Sequence, residues 1–297
     1  AEQFHGAPCV NLDKTVDDTG TIPKLNLTYK FSSDALVYAT WSRGFRPGGV
    51  NRRGTLPPYR ADFLTNYELG WKTRWFDNSV RFNGAVFNED WEDFQYSFLG
   101  ANGLTEIRNA GIARIRGVEM DAGFRDGGFS LNAGVSYNDA QIRRDFCAIA
   151  NATFDCSTSG NSLLASAGSR LPVTAKLKGN AIARYEFPVA DWNGHVQLAV
   201  NHIGSRKSDL RPAQNAIKGN LDAYTTADFS IGVKSDLWSI EAFATNLFDT
   251  RGVVNTGVQC LETVCGTDVT PATPTGGAFY DVLIKPRLIG VKFSRDF

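Results

Sequence analysis

The chain of 297 residues is poor in the groups that usually carry chemistry: three histidines, five cysteines and one methionine. It also has no apolar run of about 18 residues, the length a transmembrane helix needs. Of the histidines, His195 and His202 are seven apart, an odd spacing that puts them on opposite faces of one strand, so they do not share a metal. No Gly-x-Ser-x-Gly sequence or other activated-nucleophile context occurs, which argues against an enzyme. Net charge is missing too: 31 basic residues balance 31 acidic ones, so no overall field draws the chain to nucleic acid. The first residues, Ala1-Glu2-Gln3, are not followed by a charged segment and an apolar core, so no signal peptide is legible and the compartment must be read from elsewhere.

What is present is alternation. From Arg116 to Asn138, Val118, Met120, Ala122 and Phe124 alternate with Glu119, Asp121, Gly123 and Arg125. Beyond Asp126-Gly127-Gly128, Phe129, Leu131, Ala133, Val135 and Tyr137 alternate with Ser130, Asn132, Gly134 and Ser136. Period two means strands, and residues that tolerate positive φ between them make the pair a β-hairpin. A soluble sandwich gives the same local pattern, so the rest of the chain has to decide.

The pattern returns at Lys24–Phe31, Ala35–Arg43, Leu64–Trp75, Val80–Phe98, Leu104–Arg125, Val173–Phe187, Val196–Val200, Ala227–Lys234, Trp238–Leu247 and Arg287–Phe297. The irregular stretch Asn88–Asp93 is expected to hold a bulge, and Pro188–Gly194 to form a turn. About eleven strands result, joined alternately by very short turns and by long loops at 44–62, 143–170, 204–221 and 249–285. Sandwiches have no reason to place all short turns on one side, whereas outer-membrane barrels do. The 12% aromatic content fits the latter. The reading is therefore all-β, an antiparallel transmembrane β-barrel. Because the first strand descends from a long-loop end and an odd strand number cannot close antiparallel, the chain is expected to be about half of such a barrel. On this reading residues 1–22 are the end of an extracellular loop and 23–297 the C-terminal part of the barrel.

Several motifs then resemble one family, the TonB-dependent outer-membrane receptors, over nearly the whole chain from Ile22. They are Val37-Tyr38-Ala39-Thr40-Trp41-Ser42-Arg43-Gly44-Phe45-Arg46-Pro47-Gly48-Gly49, Asn66-Tyr67-Glu68-Leu69-Gly70, Asn109-Ala110-Gly111 through Gly117-Val118-Glu119, and Asn246-Leu247-Phe248-Asp249. The resemblance implies a barrel of about 22 strands around an N-terminal plug. It also implies energised uptake of a scarce nutrient, such as an iron–siderophore complex, in the outer membrane of a Gram-negative bacterium. The plug and the segment contacting the TonB complex have no counterpart in these residues. The last strand, ending at Phe297, resembles the one read by the barrel-assembly machinery, although Arg295 stands where an aromatic residue is usual. A passive pore or adhesin is the alternative, and an outer-membrane hydrolase a more distant one.

Within this frame the apolar rows face lipid, Leu131, Val135, Phe229, Ile231 and Val291 among them, while Asn246, Glu68 and Glu119 serve barrel geometry. Ligand contacts belong to the long loops, where Arg46, Arg52, Arg53, Arg60, Arg206, Lys207 and Arg211 offer donors to an anionic small molecule or to lipopolysaccharide phosphates. Tyr59, Phe45 and Phe279 are stacking candidates. All five cysteines fall in long loops, and proximity pairs Cys147 with Cys156 and Cys260 with Cys265, leaving Cys9 to a partner upstream. No cofactor is implied.

Overall fold

A computed structural model describes residues 14–52, 56–99, 105–149, 156–258, 269–270, 273–274 and 279–295. Eleven strands form one antiparallel sheet: β1 (Lys24–Lys30), β2 (Ala35–Arg46), β3 (Asp62–Trp75), β4 (Val80–Glu92), β5 (Ala113–Asp126), β6 (Phe129–Ile142), β7 (Leu177–Val189), β8 (Trp192–Ile203), β9 (Tyr224–Lys234), β10 (Trp238–Thr245) and β11 (Leu288–Arg295). Each strand pairs with its neighbour in sequence, a plain meander. Short turns close one end. At Gly127-Gly128 the first glycine has φ +52°, and at Phe76-Asp77-Asn78 all three residues are left-handed.

Register turns the alternation into continuous rows. One face carries Leu27, Ala39, Leu69, Val86, Val118, Tyr137 and Leu177 in a single step across seven strands. Lower down the same face carries Phe124, Leu131, Ala183, Leu198, Phe229, Ala244 and Ile289, and next to them Val196, Ile231, Ala242 and Val291. These side chains stand uncovered on interior strands too, Leu69 56% and Ile231 47% exposed, which water does not tolerate over so large an area. The opposite face carries Lys72, Asn83, Asp121, Asn180 and Asn201 and lines a hollow of about 630 Å³. There Tyr38 donates to Glu68 (2.6 Å), and its ring lies where a side chain at Gly70 would stand, so only glycine fits opposite it.

Toward the long-loop end both faces change sign. The apolar face passes through Trp41 and Tyr67 into Arg116, then Asp90, Arg114 and Gln141. Arg116 donates to Asn88 (2.9 Å) and Arg114 pairs with Asp90. The polar face passes into Leu64, Trp91, Ala113 and Ile142, with Ala113 and Ile142 fully buried. The change of medium outside, from hydrocarbon to water, and the filling of the mouth inside account for this inversion.

Several expected boundaries move. β4 pairs without a register shift through Glu92, so no bulge lies at Asn88–Glu92. The alternation there weakens because Asn88 and Asp90 answer Arg116 and Arg114 above the apolar band, and the break falls at Asp93 (φ +52°). Leu104–Arg125 is not one strand: Thr105–Asn109 pairs with Gln95–Leu99 as a separate hairpin, and Gly111 (φ +73°) re-aims the chain into β5. The residues from Val173 to Lys176 precede β7, since Val173 is left-handed (φ +58°). Pro188 belongs to β7, beyond the last residue bonded to β6, where its missing N–H costs no ladder bond on that side. The turn is Ala190-Asp191. The 204–221 loop contains the helix α1, Pro212–Lys218, opened by proline at its start. The 143–170 loop pairs Phe146–Cys147 with Leu163–Ala165, and the last loop pairs Val253–Val258 with Phe279–Leu283.

Candidate functional site

The connections at 93–112, 143–176 and 204–223 meet over the inner side of the mouth in one apolar cluster. Phe94, Tyr96, Phe146, Leu171 and Leu210 pack with Ala113, Ala140 and Ile142, and Trp91 and Phe98 flank them. The rings interlock, Tyr96 lying edge-on to Phe146 at 5.7 Å and stacked on Phe98 at 5.8 Å. The hairpin Gln95–Asn109 stands at the centre because alternation gives it two unlike faces.

One face binds the 44–62 loop. Gln95 donates to the carbonyls of Pro47 (3.0 Å) and Arg60 (3.0 Å), and Asn109 donates to those of Arg60 (3.0 Å) and Asp93 (2.7 Å) while accepting from the Arg60 N–H (2.8 Å). Asn51 exchanges two hydrogen bonds with the backbone of Ile107 (3.0 and 2.7 Å). Buried Asp62 accepts from the Gln95 N–H (3.1 Å) and pairs with Arg46. The other face binds the 204–221 loop, where Tyr96 donates to Asp209 (2.9 Å) and accepts from the Leu210 N–H (3.1 Å). Asp209 is also held by Arg211 and Lys218, each at 3.0 Å. Burial alone would raise its pKa, but the Arg211 hydrogen bond and charge overcome this and hold the carboxyl below its ordinary range. For Tyr96, burial and the nearby Asp209 charge both raise the phenol, which stays a donor.

The basic residues singled out from sequence are thus drawn into the fold. Arg46 pairs with Asp62 and lies over Trp91 (5.4 Å), and Arg60 pairs with Asp93 (2.6 Å). Arg211 pairs with Asp209 and lies 4.4 Å from the Phe98 ring centre. Arg206 is buried, donates to the carbonyls of Val253 (2.7 Å) and Val254 (3.4 Å), and lies over Tyr224. Lys207 donates to Asn220 (3.0 Å). Arg52 is exposed, while half-buried Tyr59 bridges to Gly49. Arg53 lies outside the described residues, as do Cys9, Cys260, Cys265 and Phe297, and nothing is described of the Phe279 side chain. Phe45 packs on Phe63 at 5.5 Å, on the side away from the hollow. Cys147 and Cys156 form a disulfide that closes the segment just after Phe146.

His195 lies 3.1 Å from Glu241 on the polar face and His202 2.9 Å from Thr225 on the other, so they do not meet. Asn246, left-handed at φ +48°, donates to the carbonyls of Thr250 (2.9 Å) and Lys285 (3.1 Å) and accepts from the Thr250 N–H (2.9 Å). Arg295 lies over Trp238 at 4.7 Å, a cation spread on the ring at the short-turn end. The sequence singles out Asn109 only within a motif and marks Asn51, Gln95, Tyr96 and Asp209 with no role. A buried amide or phenol has no local signature, since its partners lie tens of residues away.

A family profile described as the TonB-dependent receptor-like β-barrel matches residues 5–247. A pesticin receptor of Yersinia enterocolitica is 27% identical over 258 residues, covering 84% of this chain and 35% of that receptor. Among solved structures, the ferric yersiniabactin uptake receptor of Yersinia pestis superposes with a TM-score of 0.69 at 22% identity, over 92% of this chain and 37% of that one. The ferric preacinetobactin receptor of Acinetobacter baumannii gives 0.65 at 17% identity, over 96% and 38%. The chain therefore spans little more than a third of the length of these relatives.

Proposed function

The chain belongs to the TonB-dependent receptor β-barrel family, and on that premise we propose that it is the barrel portion of a receptor for energised uptake of an iron–siderophore complex. The family is one of receptors and transporters of the Gram-negative outer membrane. The observation that supports the reading best is the pairing of uncovered apolar rows outside with a polar hollow inside, roofed by consolidated loops. Loops joined by a packed aromatic cluster favour a receptor mouth over an open pore. Relatives named for ferric siderophores give the substrate class.

In this reading residues 1–22 end an external loop and 23–297 form barrel wall. The TonB complex acts through a region outside these residues, and the last strand, β11, addresses the assembly machinery. Lipid covers the apolar rows. Phosphates of lipopolysaccharide meet the rim where Arg43, Arg114 and Arg116 replace the apolar row. Arg46, Arg60, Arg206 and Arg211 shape the mouth, and Arg52 and Tyr59 belong to the surface a ligand meets. The second disulfide, Cys260 with Cys265, is part of the same proposal.

The test is uptake of radiolabelled ferric siderophores by cells that carry the gene or lack it, with and without a functional TonB complex. Uptake lost on removing either supports the receptor. Uptake that persists without the TonB complex, with ion conductance in planar bilayers, would identify a passive pore instead.

A further inference from the structure

We propose that residues 208–219 form a flap, hinged on the short ladder of Arg206–Lys207 with Asn220–Leu221 and latched to the hairpin Gln95–Asn109 through the phenol of Tyr96, and that the mouth opens by releasing this flap while the 44–62 loop stays in place. The two faces of the hairpin are fastened in different ways. Toward the 44–62 loop, the side chains of Asn51, Gln95 and Asn109 grip backbone groups, and buried Asp62 is held by Arg46 and the Gln95 N–H. Parting these surfaces strands several buried amides together and takes the Gln95 N–H from Asp62, which is costly.

Toward the flap, two hydrogen bonds converge on one phenol, bridging positions 113 and 114 residues apart. The flap also carries its own counter-charges. Arg211 and Lys218 both hold Asp209 from within the flap, so lifting it away from Tyr96 leaves no bare carboxylate behind. What loses its partner is one O–H and the Leu210 N–H, both of which water reaches once the flap is lifted. Ser208 and Asn215 brace the flap internally, the Asn215 side chain accepting from the Ser208 N–H at 2.9 Å and Ser208 donating to the Gly219 carbonyl at 2.6 Å. It therefore moves as a small body and not as a loose strand. Arg211 and Leu210 supply the remaining grip of 208–219, over Phe98 and in the apolar cluster, while Arg206 and Lys207, tied to the carbonyls of Val253 and Val254 and to the Val173 N–H, stay in place as the hinge.

Hydrogen exchange read by mass spectrometry on the receptor purified from outer membranes tests this, and it needs no ligand and no transport. Tyr96→Phe keeps the ring in the cluster and removes only the hydroxyl. Exchange in 208–219 should then rise about five- to hundredfold, as expected when a buried N–H loses its acceptor, with 44–52 and 105–109 unchanged. Asp209→Asn should raise exchange in the same segment. Equal rises in all three segments would overturn the flap in favour of one rigid block, and no rise in 208–219 with either variant would remove the latch. Heat-modifiable migration of both variants verifies that the barrel has assembled.

Discussion

Phe229 offers the sharpest test of which face meets lipid. It lies near the middle of β9, paired with Leu198 on one side and Ala244 on the other, and is 36% exposed with no protein over it. Its neighbour Ser230 points the other way, between Gln197 and Phe243 on the hollow side. An arginine on the lipid face of a barrel costs roughly 2–4 kcal/mol at mid-depth, against little in an aqueous lumen. Phe229→Arg should therefore lower the unfolding free energy of the receptor in lipid vesicles by about that amount. This is a shift of about 30- to 1000-fold in the folded-to-unfolded ratio, and Ser230→Arg should cost under about 1 kcal/mol. Urea titration followed by tryptophan fluorescence measures both, and heat-modifiability on gels gives the qualitative answer. Equal loss in the two variants, or a larger loss for Ser230→Arg, would refute the assignment of faces and with it the bilayer boundary drawn at Trp41, Tyr67 and Arg116.

Three further outcomes are expected. Cys147→Ser should cost about 2–3 kcal/mol locally, because the bond closes a short loop beside buried Phe146, and non-reducing peptide mapping after alkylation should find Cys147 and Cys156 protected in the native receptor. Asn246→Ala should lower stability by about 2–4 kcal/mol, since it removes three hydrogen bonds and puts a Cβ residue without them at φ +48°, with Asn246→Gly milder in a thermal melt. Asp209 has a folded pKa below its unfolded value, so its contribution is complete above the ordinary carboxylate pKa of about 3.9 and is lost as pH falls through the folded value. The stability gap between the native protein and Asp209→Asn should thus be flat from about pH 5 to 8 and close in more acidic solution, and a gap growing on acidification would contradict the pairing.

The sheet was legible because its signals are local. A strand with lipid on one side and water on the other must alternate residue by residue, and Gly127-Gly128 or Asp77-Asn78 mark reversals at their own positions. Hence the eleven strands, the two faces and the side of the short turns could be read before any contact was known. Two of the places where the expected boundaries moved, Asn88–Asp93 and Pro188, lie where a strand passes out of the apolar band or beyond its neighbour, so that one face no longer senses lipid or one edge no longer needs an N–H.

The mouth was not legible, for the complementary reason. Loop residues answer to partners remote in sequence. Arg46 and Arg60 look like free donors until Asp62 and Asp93 are brought to them, Asn51 binds the backbone of Ile107, and Tyr96 reaches Asp209 across 113 positions. Composition and spacing determined that this chain is barrel wall with one face for lipid. Only the tertiary structure decided that Arg46, Arg60 and Arg211 are paired with carboxylates of the loops and Arg206 with backbone carbonyls, because a buried charge or amide is satisfied by whatever the fold sets beside it.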